Sequence, residues 1–76
     1  MIESFLETLS MRVDGMCEPR CVRSVCSALG AIPGVLEVEV SLETREAIVR
    51  YDRGKASAGQ FRTALFAMGF ESVRMH

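Results

Sequence analysis

The sequence contains no tryptophan, one tyrosine and one histidine, and it has no long apolar run. A helix that spans a membrane needs about 20 apolar residues, so we expect no membrane span. Residues 1–10 lack a basic stretch followed by an apolar one, which argues against a secretory signal and favours a cytoplasmic location. Nine basic and ten acidic residues are intermixed without a positive stripe, so nucleic-acid binding is not expected.

The length and composition fit one small globular domain. Hydrophobic residues make up 49% of the 76 positions and charged residues 25%, as in ordinary soluble domains. A chain of this length builds one thin core and no large cavity for a cofactor. We therefore expect a single domain over residues 1–76, with residues 1–7 as a frayed extension.

Alternating apolar and polar residues predict strands at residues 9–14, 36–42 and 47–52. The last two are separated by a short turn, which predicts an antiparallel hairpin. A fourth, short strand would contain Val73 and Met75.

Two helices are predicted between these strands. Val22, Val25 and Leu29 have helical spacing, and Pro19 fits the first helical position after an N-cap at Glu18. The second helix would start at a capping box of Ser57 and Gln60 and end near Gly69. Its predicted buried face consists of Phe61, Ala64, Leu65 and Met68. The order βαββαβ predicts an α+β, ferredoxin-like fold with both helices on one face of a four-stranded antiparallel sheet.

The three cysteines are crowded between positions 17 and 26. An odd number of cysteines in a cytoplasmic chain argues against a disulfide framework and points to metal binding or redox chemistry. Cys17 lies in the loop before the first helix, and Cys21 lies in its first turn. The positive end of a helix stabilises a thiolate, which is the form that binds metal. Cys17 and Cys21 are therefore the predicted metal ligands.

A pair of thiolates with few other ligands suits a soft ion that accepts two-coordination. Cu(I) is the first candidate and Hg(II) the second, because soft ligands select soft metals. Zn(II) normally takes four ligands, so it would need water, Glu18 or a second molecule in a metal-bridged homodimer. His76 is terminal and is not expected to be a ligand.

Several stretches resemble the heavy-metal-associated domains, which occur as copper chaperones, in copper-pumping ATPases and in mercury-handling proteins. The matching residues are at positions 13–16, 21–22, 32–35, 38–51 and 68–70. The resemblance implies the same βαββαβ fold, reversible binding of Cu(I) or a related ion, and no enzymatic activity. It also implies transfer of the ion by thiolate exchange to a docked partner, such as a metal-transport ATPase or another metal-exchanging protein.

The metal motif departs from the family pattern Gly-Met-x-Cys-x-x-Cys. Gly15, Met16 and Cys21 match it, but Cys17 falls one place early and Glu18 occupies the slot of the first ligand. The resemblance therefore supplies Cys21 as a ligand, whereas Cys17 is inferred from geometry alone. Phe70 matches a position near the metal loop and would shield the thiolates from solvent.

Three alternatives remain open at this point. Glu18 in the first-ligand slot is compatible with an interaction or regulatory domain that has lost tight metal binding. A reversible disulfide between Cys17 and Cys21 would compete with metal, but the C-x3-C spacing is not the motif of a thiol-redox enzyme. Cys26 is expected to be packed and partly buried, with roles as a third ligand or dimer bridge as the minor alternatives.

Overall fold

The computed structural model describes residues 6–15 and 18–74. The chain forms six elements: β1 (Leu6–Asp14), α1 (Pro19–Gly30), β2 (Val35–Ser41), β3 (Glu46–Asp52), α2 (Ala58–Ala67) and β4 (Glu71–Arg74). The strands make one sheet in the order β2-β3-β1-β4, and every neighbouring pair is antiparallel. The predicted ferredoxin-like βαββαβ fold is confirmed. Neither described helix is long and apolar enough to cross a membrane.

The core lies between the helices and one face of the sheet. Alternate residues of β1 and β3 point into it, because successive side chains of a strand face opposite sides. Both helices contribute their predicted periodic residues. The buried hydrophobic residues are Leu9, Met11, Val13, Val25, Leu29, Ala47, Val49, Tyr51, Ala56, Phe61 and Leu65.

The helix boundaries follow the sequence signals closely. Pro19 occupies the start of α1 with Glu18 as its N-cap, and Ser57 and Gln60 form a capping box at α2. The prediction for Met68 was wrong in part. Met68 is the C-cap of α2 and is 38% exposed, because the chain leaves the helix there before another turn can bury it.

Two strand boundaries differ from the sequence-based expectation. Strand β1 begins at Leu6, so Leu6 and Glu7 of the expected frayed extension pair with β3. Glu7 Oε1 accepts a hydrogen bond of 2.8 Å from the hydroxyl of Tyr51, which is 4% exposed. Strand β4 begins at Glu71, two residues before the expected Val73. Residues 1–5 of the expected extension lie outside the described residues, as does Met75.

Candidate metal centre

Three connections meet at one end of the sheet, which we call the thiol end. Strand β1 reaches it at Gly15, and the antiparallel strand β3 starts there, with Glu46 opposite Arg12. The turn between β2 and β3 is tied to β1 by a hydrogen bond of 2.8 Å from Val13 N to Arg45 O. Strand β4 also starts there, immediately after Phe70. The loop that leads to Cys21 is therefore flanked by two other connections.

Gly15 and Phe70 pack directly against each other. Gly15 has a φ of 101°, a conformation that side chains with a Cβ rarely adopt. A Cβ added there would lie 3.3 Å from Phe70 Cδ1. Gly15 is thus required both by the turn of the chain and by the close approach of the aromatic ring.

The end of α2 fixes the position of Phe70. Gly69 has a φ of 93°, and its N–H donates to Phe66 O at 3.0 Å. The N–H of Phe70 donates to Leu65 O at 2.9 Å. These two bonds form a Schellman motif, in which the residue beyond the glycine packs back on the helix. Phe70 is accordingly half-buried against the core.

Cys21 lies in the first turn of α1 and faces partly inward. Its N–H donates to Glu18 O at 2.9 Å, and its side chain is a free, half-buried thiol packed against the core. Cys21 is close to solvent yet anchored to a rigid element.

Glu18 is engaged with its neighbour rather than with the helix. Its carboxylate forms an ion pair of 2.5 Å with Arg20 Nε, and both side chains are exposed. Within the described residues, the Glu18 side chain makes no capping hydrogen bond to α1. Pro19 has no N–H, and the Cys21 N–H donates to Glu18 O. The donor of this turn that a side-chain cap would still meet is therefore the Arg20 N–H.

The other predicted site residues divide into two groups. Cys17 lies outside the described residues, so its pairing with Cys21 stays a prediction; Met16 and His76, which were not predicted as ligands, also lie outside them. Cys26 Sγ lies 4.0 Å from Val38 O on β2 and is partly buried, as predicted. Across residues 6–15 and 18–74, no three His, Cys, Asp or Glu side chains cluster as a metal site.

One feature of the thiol end had no signal in the sequence. Arg45 in the β2–β3 turn has a φ of 60°, a conformation that turns usually assign to glycine or asparagine. Its carbonyl binds β1 next to the loop that leads to Cys21. An arginine carries no preference for this geometry, so only the structure could place it.

Comparison with known proteins supports an assignment that the fold and the cysteine position already suggest. The family model of the heavy-metal-associated domain matches residues 10–71, and the chain belongs to this family. It is 37% identical over 65 residues to copper-transporting ATPase 2 of Mus musculus, covering 86% of this chain and 4% of that protein. The chain thus corresponds to a small part of such an ATPase.

Two smaller relatives are matched over most of their length. The copper chaperone CopZ of Staphylococcus aureus is 36% identical over 63 residues, which cover 83% of this chain and 93% of CopZ. A mercuric transport protein periplasmic component of Pseudomonas fluorescens is 35% identical over 66 residues, covering 87% and 72%. The crystal structure of oxidized MerP from Ralstonia metallidurans superposes with a TM-score of 0.89 at 31% identity, covering 93% and 99%.

Proposed function

We propose that this domain binds Cu(I) through Cys17 and Cys21 and passes the ion to a partner protein by thiolate exchange. The observation that carries the proposal is the place of Cys21. It is a half-buried free thiol in the first turn of α1, at the end of the molecule where Phe70 packs against Gly15. A soft ion such as Cu(I) is bound by thiolate sulfur.

Exchange between proteins requires a site that holds an ion with few ligands and keeps it near the surface. Cys21 meets the second condition because it is only half-buried. A two-coordinate ion leaves room for a thiolate of the partner to enter before a ligand of the donor leaves. The partner is then a metal-transport ATPase or another metal-exchanging protein, and the domain is a cytoplasmic carrier rather than an enzyme. The similarity to CopZ and to a copper-transporting ATPase supports this role.

Titration of the reduced protein with Cu(I) against a competing chelator tests the proposal. We expect one ion per chain, and we expect the Cys17→Ser and Cys21→Ser double variant to lose binding. The matched control is Cys26→Ser, because the Cys26 thiol contacts Val38 O on β2 and is expected to leave affinity unchanged. Equal binding by the wild type and the double variant would refute the proposal.

Hg(II) and Zn(II) are the alternative ions. The relative named as a mercuric transport protein favours Hg(II), which also accepts two thiolates. Zn(II) would need additional ligands. Native mass spectrometry with each ion separates these cases, because one ion per chain indicates a closed two-thiolate site. One ion per two chains would indicate a metal-bridged homodimer.

A second candidate function is an interaction domain without tight metal binding, and Glu18 is the observation that favours it. Glu18 stands in the first-ligand slot of the family motif and is paired with Arg20. The double variant Cys17→Thr and Glu18→Cys restores the usual spacing. If only this variant binds Cu(I) tightly, the natural chain is an interaction domain. If both bind within about tenfold, the lower end of the loss that altered surroundings of a metal ligand typically cause, the shifted spacing is a working site.

A further inference from the structure

A groove runs between α2 and the edge of the sheet, from Phe70 and Glu71 at the thiol end toward the first turn of α2. It consists of two cavities that share Arg62 and Ser72. The larger, about 400 Å³, is lined by Phe66, Phe70 and Val73 among others. The smaller, about 170 Å³, continues it past Leu9 and Met11 and the first turn of α2. We call the two together the α2–β4 groove.

The groove borders an open strand. In the order β2-β3-β1-β4, β4 is an outer strand whose one strand neighbour is β1. An outer strand presents unpaired backbone N–H and C=O groups on its free side, which are a template for another extended segment. The described residues place no further strand on this side.

The apolar part of the groove is exposed. Phe66 is 71% exposed and Val73 56% exposed, and Phe70 is half-buried at the same place. A single exposed apolar residue needs no explanation, but adjacent ones beside an open strand favour an interaction site. An apolar side chain of a partner would cover Phe66.

Two polar groups in the groove lack partners within the described residues. The Ser72 hydroxyl is buried without a hydrogen bond, and it faces the helices because Ser72 pairs with buried Val13. A buried hydroxyl without a partner is costly. Arg62 is exposed and forms none of the four ion pairs found in the described part of the chain.

Among the described side chains, two charged ones line the groove, and they differ in position. Arg62 lines both cavities and lies toward Leu9 and Met11. Glu71 lines only the larger one and lies opposite Asp14 in the register of β4 with β1, near the thiol end. A carboxylate in the groove is therefore attracted beside Arg62 and repelled near Glu71, which sets one direction for an acidic ligand.

We propose that the α2–β4 groove binds an extended segment of another protein that pairs with β4 and carries an apolar residue followed two positions later by a carboxylate. The apolar residue packs on Phe66 and the carboxylate pairs with Arg62. The two side chains lie on the same face of the added strand because strand side chains alternate. Strand addition supplies backbone hydrogen bonds, and the side chains supply specificity. This inference does not depend on metal binding.

The test is a titration of the ¹⁵N-labelled full chain with acetyl-Thr-Phe-Thr-Glu-Thr-Val-amide. We expect chemical-shift changes at β4 and at Arg62 and Phe66, with the signals of β2 unchanged. A peptide with Lys in place of Glu should bind two- to fivefold more weakly, as expected from an exposed ion pair. A peptide with Pro at its third position should also bind more weakly, because it cannot donate to the strand edge.

The decisive experiment asks whether reversing the charge of residue 62 also reverses the preference between the two peptides. The Arg62→Glu variant should prefer the Lys peptide over the Glu peptide, and Cys21→Ser should bind both peptides as the wild type does. Equal binding of the two peptides by the wild type, or no shifts up to millimolar peptide, overturns the proposal. Shifts at β4 that depend on protein concentration without peptide would also overturn it, because a second copy would then occupy the edge.

Discussion

The two helices begin with nearly the same backbone conformation, but their N-cap side chains are used differently. Glu18 and Ser57 are both extended N-caps, with φ and ψ of −134° and 152° in one and −143° and 160° in the other. At α2, Gln60 Oε1 accepts a hydrogen bond of 2.9 Å from Ser57 N, so the cap is closed by side chains. At α1, the Glu18 carboxylate pairs with Arg20 instead.

The difference follows the position of the two helix starts. The start of α2 lies away from the thiol end, where a closed cap adds stability and nothing competes with it. The start of α1 carries Cys21, and there the N-cap side chain pairs with Arg20 and makes no capping hydrogen bond to the helix. The start of α2 is thus stabilised by a side-chain cap, whereas the start of α1, which carries Cys21, is left without one.

The largest expected effect comes from Phe70, which packs beside the loop that leads to α1. Phe70→Ala removes a half-buried ring that packs against the core and Gly15. We expect a loss of about 2–3 kcal/mol in the free energy of unfolding, below the range for fully buried phenylalanine. Urea denaturation measures it. The matched control is Phe66→Ala near the end of α2, where removal of a 71% exposed ring should cost about 0.5 kcal/mol or less.

The Phe70→Ala variant also tests whether the ring holds the loop before α1 in place. If Phe70 orders the loop before α1, its removal also speeds the reaction of Cys21 with a thiol reagent, measured in a Cys17→Ser and Cys26→Ser background. An unchanged rate in Phe70→Ala would mean that the start of α1 holds its geometry without the ring.

A smaller effect is expected from the two glycines on either side of this contact. Gly15→Ala and Gly69→Ala both force alanine into a left-handed conformation, which costs about 1–2 kcal/mol. No atom lies within 4 Å of a Cβ added at Gly69, whereas one added at Gly15 meets Phe70. Gly15→Ala should therefore be the more destabilising in urea denaturation. Equal losses would show that the ring moves aside freely.

The sequence predicted much of this architecture because its signals are local. Alternation located β2 and β3, and Pro19 and Gly69 marked a helix start and end within one or two residues. The early start of β1 was missed because it depends on Glu7 and Tyr51, which are 44 residues apart. Contacts across such a distance leave no periodic pattern in the chain.

The candidate site was predictable in part for the same reason. The place of Cys21 in the first turn follows from Pro19, two residues before it, and the structure agrees. The resemblance to a family, rather than any pattern, suggested Phe70 near the loop. The contribution of Arg45 could not be predicted, because its carbonyl acts through a conformation that arginine does not favour.

Removal of the cap at α2 tests whether this cap contributes to the stability of the domain without affecting metal binding. Gln60→Ala deletes the acceptor of the Ser57 N–H bond, and we expect a loss of about 1 kcal/mol, the size of a typical net hydrogen bond. Cu(I) affinity should not change, because this helix start lies away from Cys21. A lower affinity in Gln60→Ala would contradict the separation of the two roles.

The smallest expected effect is a gain, and it addresses the comparison most directly. Glu18→Ser gives α1 the kind of N-cap that α2 has, and it should stabilise the metal-free domain by about 0.5 kcal/mol. The serine hydroxyl would accept a hydrogen bond from the N–H of Arg20, since Pro19 has none and that of Cys21 donates to the N-cap carbonyl. Because this bond would compete with the metal-bound sulfur of Cys21 for the Arg20 N–H, we expect Cu(I) affinity to fall severalfold while stability rises. Glu18→Ala, which removes the carboxylate without adding a cap, should leave the affinity near that of the wild type. If Glu18→Ser raises both stability and affinity, the open start of α1 has no part in holding the ion.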